Sequence, residues 1–156
     1  MLINSLNLSK LRSLSNQQPP LQNESFSPFW EIKVLFVETN YSVIRMVEKV
    51  LEETTVTHFL RRIDNIHDLN FELRYNKPDV IISGRTMGEF NAFDVLTQKN
   101  LYAPSLPVLV LASDFNALMN IRLVNEGAYD IVYHNEIKRL PKEISFLYKH
   151  AMQDIA

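Results

Sequence analysis

Two hydrophobic rhythms alternate along the chain. Residues 32–37, 80–83 and 108–112 are short, nearly continuous apolar runs, and 56–62 and 129–133 are weaker ones. Runs of this length predict strands, and the continuous ones predict strands buried on both faces. Between the runs, apolar residues recur at helical spacing. Val43, Val47, Val50 and Leu51 predict a helix over 42–53 with Ser42 as its N-cap. Ile66, Leu69 and Leu73 mark one face of the next helix, over 66–75, and Phe93, Leu96 and Leu101 mark another from about Asn91. Ala117, Leu118, Ile121 and Val124 form the inward stripe expected of a helix over 116–126, which ends at Gly127, a suitable C-cap. Pro141 opens a last helix through Ile144, Leu147, Tyr148, Ala151 and Ile155. Strands alternating in this way with helices specify an α/β fold: a parallel sheet joined by right-handed crossovers, with helices on both faces.

The first 31 residues break the rhythm. They are crowded with Ser, Asn and Gln and include Pro19-Pro20. Such a composition buries too little apolar surface to offset the entropy of ordering. The expectation is a flexible tail over 1–31 ahead of a folded domain over 32–156. Inside the tail, Leu2, Ile3, Leu6, Leu11 and Leu14 fall within one half of a helical wheel, a short amphipathic segment suited to docking on the domain or on a partner. Isolated helices under ~12–15 residues are marginal in water, which favours a frayed tail. Phe26, Phe29 and Trp30 are read as packing against the domain and anchoring the tail.

Composition narrows the chemistry. Hydrophobic residues make up 46% of the 156 positions, enough to build a core without a disulfide or metal staple. Sixteen Lys+Arg against eighteen Asp+Glu give a net charge of −2, which argues against an electrostatic grip on nucleic acid or on a membrane. There is no cysteine, so thiolate nucleophiles and Cys-based metal sites are excluded. Gly84, Gly88 and Gly127 are the only glycines, and they write neither a dinucleotide-binding nor a Walker loop. His58, His67, His134 and His150 show no metal-ligand spacing. Ser83 lies on no nucleophile elbow and is expected to be buried by strand alternation, and the pair Arg61-Arg62 reads as a solvated edge. No secretory start and no apolar stretch of ~18 residues or more occur, so a cytoplasmic location without cofactor or metal is expected.

The order of motifs then becomes informative. Lys33-Val34-Leu35-Phe36-Val37-Glu38-Thr39-Asn40 resembles the first strand and acidic pair of a response-regulator receiver domain. Pro78-Asp79-Val80-Ile81-Ile82-Ser83-Gly84 resembles the third strand ending at the phosphoacceptor, and Met87, Phe93, Asp94, Val95 and Leu96 the loop and helix after it. Pro107 to Ser113 resembles the fourth strand, and Gly127-Ala128-Tyr129-Asp130 the turn into the fifth. The resemblance covers 32–155. It implies a flavodoxin-like five-stranded parallel sheet of order 2-1-3-4-5, with its site at the carboxyl ends of strands one and three.

The same resemblance exposes a chemical mismatch. The family supplies an acidic pair and an aspartate that hold Mg²⁺, and the aspartate attacks a phosphoryl donor. Here the pair reads Glu38-Thr39, the phosphoacceptor position reads Gly84, the hydroxyl position Ala112, the lysine position His134 and the aromatic switch position Ile131. A charge pair at ~4 Å is worth roughly 4 kcal/mol at an effective dielectric near 20, so losing carboxylates from a divalent-ion site removes several kcal/mol of binding. Arg85 is expected either to pair with Glu38 or to point to solvent.

These residues point to a degenerate, pseudo-receiver module of a two-component or phosphorelay pathway. It is expected to work without phosphorylation and without enzymatic activity, by contact with a kinase or other signalling protein. The competing readings are a phosphorelay regulator with a non-standard acceptor, and a flavodoxin-like domain binding a small ligand. No DNA-binding domain is expected, the chain ending at Ala156. The expected partner or homodimer face is the fourth helix, fifth strand and fifth helix. Met119 and Leu123 are read as its outward pair, with Tyr133 beside them.

Overall fold

The computed structural model describes residues 31–53 and 58–155, with side chains through His150. The readings made for residues 1–30, including the amphipathic segment and the aromatic anchor, lie outside the described residues. In chain order the elements are β1 (Ile32–Val37), α1 (Tyr41–Leu51), β2 (His58–Ile63) and α2 (Ile66–Phe71), which continues into a π-helical turn (Glu72–Asn76). There follow β3 (Val80–Gly84), α3 (Ala92–Tyr102), β4 (Val108–Ala112), α4 (Ala117–Asn125), β5 (Asp130–Tyr133), a 3₁₀ turn (His134–Arg139) and α5 (Leu140–Ile155). A two-strand ribbon, Thr86–Met87 against Phe90–Asn91, lies between β3 and α3 and turns at Gly88, whose φ of 62° suits glycine.

The five strands form one parallel sheet in the order β2-β1-β3-β4-β5, as the resemblance implied. Its two faces bury separate clusters. Leu35, Val37, Ile81, Val108, Val110 and Ile131 face α2, α3 and α4, meeting Leu69, Val95, Leu96 and Leu123. Val34, Phe36, Ile82, Leu109, Leu111 and Val132 face α1 and α5, meeting Val43, Val47, Leu140 and Ile144. Strand alternation thus sends successive side chains of one apolar run to opposite layers, each full burial contributing roughly 1.5–3 kcal/mol.

Asparagines start four of the helices. Asn40, Asn65, Asn91 and Asn116 cap α1 to α4 in turn, each side chain accepting from the first-turn backbone. At α3 the cap is reciprocal, Asp94 accepting from the Asn91 N–H. The cap of α1 is therefore Asn40 and not Ser42, whose N–H donates to the Asn40 side chain at 2.9 Å. Arg61 is also more than a solvated edge, because it pairs with the buried carboxylate of Glu72 on the π-helical turn.

The orientation of α4 corrects the sequence reading. Leu123 is fully buried and Met119 packs on the core, whereas Leu118, Ile121 and Val124 are 69%, 58% and 53% exposed. The helix carries two apolar arcs, and its ends decide which one turns inward. Asn116 fixes the start. At the finish, the Ala128 N–H donates to the Leu123 carbonyl, and Asn100 of α3 donates to the Glu126 carbonyl beside Gly127 at φ 111°. Between these ends, Asn120 reaches the Tyr133 hydroxyl and Arg122 lies over the Phe93 ring. Together these contacts rotate the smaller arc into the core and leave the larger one in solvent.

Candidate functional site

Parallel register levels the carboxyl ends of the central strands. Val37 stands opposite Ser83, Gly84 opposite Leu111, and Ala112 opposite Tyr133. Glu38, Gly84, Ala112 and His134 consequently gather at one end of the sheet, as the sequence reading expected. Glu38, Asn40, Arg85, Ser113 and His134 line a cavity there of about 170 Å³. Thr39, the second position of the acidic pair, is exposed beside it.

Glu38 dominates the geometry. It is 3% exposed, and its Oε2 accepts from the Thr39 N–H at 2.9 Å and the Asn40 N–H at 3.1 Å. These charge-assisted bonds hold a buried carboxylate that would otherwise be costly. The carboxylate sits directly over Gly84. A Cβ built at residue 84 would lie 2.6 Å from Glu38 Oε1, closer than real Cβ contacts come, and 3.1 Å from its carboxyl carbon, so the carboxylate would have to shift to admit it. Glutamate is one methylene longer than aspartate, and that extra reach occupies the volume from which a side chain at 84 would emerge. Glu38 and Gly84 therefore interlock.

The other site positions supply little chemistry. Ala112 is buried and has no hydroxyl, and Ile131 is buried in the layer facing α2, α3 and α4. His134 is half-buried at the cavity wall. Ser83 is fully buried, as expected, and its hydroxyl donates to the Gly84 carbonyl at 2.8 Å. Arg85 takes neither expected course. Its guanidinium donates to the Asp114 carbonyl at 3.0 Å and pairs with the Asp114 carboxylate. Hydrogen bonding from Arg85 holds the Asp114 carboxyl below the usual range. Arg62 donates to the Glu38 carbonyl at 3.3 Å. The residues present do not fit the Mg²⁺ site of the family: Gly84 offers no side-chain ligand, Thr39 no carboxylate, and Glu38 is engaged with two backbone N–H groups. Among the described residues no group of three His, Asp or Glu side chains is placed to hold a metal.

The partner-face candidates divide. Leu123 is core and presents no surface, and Met119 is half-buried against the core, so the pair does not point outward as read. Tyr133 is half-buried, its hydroxyl accepting from Asn120 at 2.5 Å and its ring centroid 6.1 Å from that of Phe115. The outward apolar residues are Phe115, Leu118, Ile121 and Val124. The sequence reading missed Phe115 and Asp114. Their signal was the position of Ser113-Asp114-Phe115-Asn116 between a strand end and an asparagine cap, where side chains meet solvent or the site.

No protein-family model matches the sequence, and no curated protein does. Solved structures match its fold. The signal receiver domain of a Vibrio parahaemolyticus protein described as a Luxo repressor shares 19% identity at a TM-score of 0.69, over 80% of this chain and 95% of that one. The receiver domain of the Francisella response regulator 1452 shares 19% at 0.66, over 78% and 99%. The response regulator domain of Thermotoga maritima CheB shares 18% at 0.64, over 79% and 97%. The chain has the flavodoxin-like fold of response-regulator receiver domains. Among the described residues, no helix is long and apolar enough to cross a membrane.

Proposed function

We propose that this receiver-fold chain is a phosphorylation-independent signalling module that works by protein contact, without enzymatic activity, in a cytoplasmic two-component or phosphorelay-type pathway. The observation that carries the reading is the Glu38 carboxylate seated 2.6 Å from where a Cβ of residue 84 would stand. A receiver's acceptor needs a nucleophile at that position and space for the phosphoryl group beside it. Here the nucleophile is missing and the Glu38 carboxylate stands directly over residue 84, where it repels a phosphoryl donor. Support for the pathway comes from the matched folds, which are described as receiver or response regulator domains.

The interaction surface in this reading is the outer face of α4 with the loop before it. Phe115, Leu118, Ile121 and Val124 present a run of apolar side chains to solvent. Scattered exposed apolar residues are ordinary, but a contiguous set on one helix face favours contact with another protein. Tyr133 of β5 supports this face from beneath through Phe115 and Asn120.

Incubation with a small phosphodonor and Mg²⁺, followed by intact mass, tests the first half. No added phosphoryl group is expected, and stoichiometric addition overturns it. Sedimentation of a Leu118→Glu, Ile121→Lys variant, together with capture of the cognate signalling protein once identified, tests the second. Loss of association with an unchanged melting profile is expected. Wild-type association of the folded variant removes this face from consideration.

A further inference from the structure

At the opposite end of the sheet, before β3 and β4 begin, a cavity of about 660 Å³ opens between the C-terminal ends of α2 and α3. Its floor is apolar, built from Leu73, Pro78, Ala103, Leu106 and Pro107. Its volume falls in the ~300–1,000 Å³ range usual for small-molecule sites. It shares no residue with the cavity at Glu38.

The local backbone is unusual. Helix α2 widens into the π-helical turn Glu72–Asn76, and Lys77 then takes a left-handed φ of 44°, its N–H closing on the Glu72 carbonyl at 3.1 Å. Such π turns occur disproportionately at functional sites. This one presents Arg74, Tyr75 and Lys77 to the cavity. The Arg74 Cζ lies 5.4 Å from the Tyr75 ring centroid and 5.5 Å from that of Tyr102 on α3. A guanidinium stacked against two rings is held in place while the donors around its edge stay available.

Those donors are unspent. Among the described residues the side chains of Arg74 and Lys77 make no hydrogen bond or ion pair. Neighbouring acids are committed elsewhere. Glu72 holds Arg61 and accepts from Asn76, while Asp79, exposed in the cavity wall, accepts from the Lys33 N–H at 2.7 Å and leaves the two cations in excess of the one lining acid. The site thus combines two free cations, two aromatic rings and an apolar floor.

We propose that this cavity binds a small ligand joining a planar ring to an anionic group. The ring would lie on the floor beside Tyr75 and Tyr102, and the anion would meet Arg74 and Lys77. A mononucleotide and an aromatic carboxylate both carry this chemistry. The site is independent of the phosphoryl chemistry absent from the other end of the sheet.

The test is amide NMR on the full chain, titrated separately with adenosine 5′-monophosphate and 2-naphthoate. Adenosine and inorganic phosphate serve as ring-only and anion-only probes. Saturable shifts confined to residues 73–79 and 102–107 are expected for at least one of the two combined probes. That probe should bind at least about tenfold tighter than adenosine or phosphate. Response to the nucleotide alone identifies a nucleotide site, and response to naphthoate alone an aromatic carboxylate site. The variant R74Q/K77Q should weaken binding by at least about tenfold, with K77Q alone as the milder case should the double variant not fold. The proposal is overturned if neither combined probe gives saturable shifts there up to about 10 mM, a concentration well above a millimolar Kd. It is equally overturned if the folded variants bind as the wild type does, or if phosphate or adenosine alone binds as tightly.

Discussion

The cavity at Glu38 and the outer face of α4 differ in how their exposed groups are satisfied. In the cavity, the acid has its backbone partners, the arginine has Asp114, and the position beneath the carboxylate is a glycine that leaves it room. On α4 and the loop before it, four large apolar side chains stand exposed with nothing among the described residues to cover them. Where polar groups have found internal partners, an external ligand has little to gain. Where apolar surface remains open, association removes it from water. The cavity at Glu38 is internally satisfied, and the outer face of the adjacent helix is open.

The strongest way to break this contrast is to force the closed site. Gly84→Asp places a second carboxylate against a buried one and a Cβ within its van der Waals radius. A loss of about 3 kcal/mol or more is expected at neutral pH by denaturant titration, from the overlap together with an unpaired buried charge. Adding Glu38→Ala should recover most of it. Wild-type stability in the single variant would show that Glu38 swings away freely. The next effect concerns α4. Leu123→Ala should cost roughly 2–5 kcal/mol, as truncation of a fully buried leucine does. Leu118→Ala, on the outer face, should stay within about 0.5 kcal/mol. Equal losses would mean that the outer face is covered.

The smallest effect is electrostatic. Because Arg85 depresses the folded pKa of Asp114, this pair stabilises the fold above the ordinary carboxylate pKa. That contribution fades as pH falls from there through the depressed value. Carboxyl-carbon NMR of Asp114 should show a midpoint below that of an unperturbed aspartate, returning to the ordinary value in Arg85→Gln. An ordinary midpoint in the wild type would dissolve the pairing.

The centre of the sheet was legible because β1, β3 and β4 are nearly continuous apolar runs buried on both faces, a pattern that needs no knowledge of neighbours. The absence of a side-chain nucleophile at 84 and of a hydroxyl at 112 was legible too, because Gly84 and Ala112 carry neither group. The facing of α4 was not. Counting apolar residues selects the arc of Leu118, Ile121 and Val124, while the caps and the Asn120–Tyr133 bond select the other. Arg85 was illegible for a similar reason, since its partner lies 29 positions along the chain. The fit of Glu38 over Gly84 depends on register between two strands, which composition does not carry.

The Glu38–Gly84 interlock also constrains the routes by which this sequence can change. A side chain introduced at residue 84 first meets the Glu38 carboxylate, which has to move aside and leave its backbone partners. Shortening Glu38 gives up those same contacts but clears the space over residue 84. The two positions are therefore coupled, and the effect of changing one depends on which residue stands at the other.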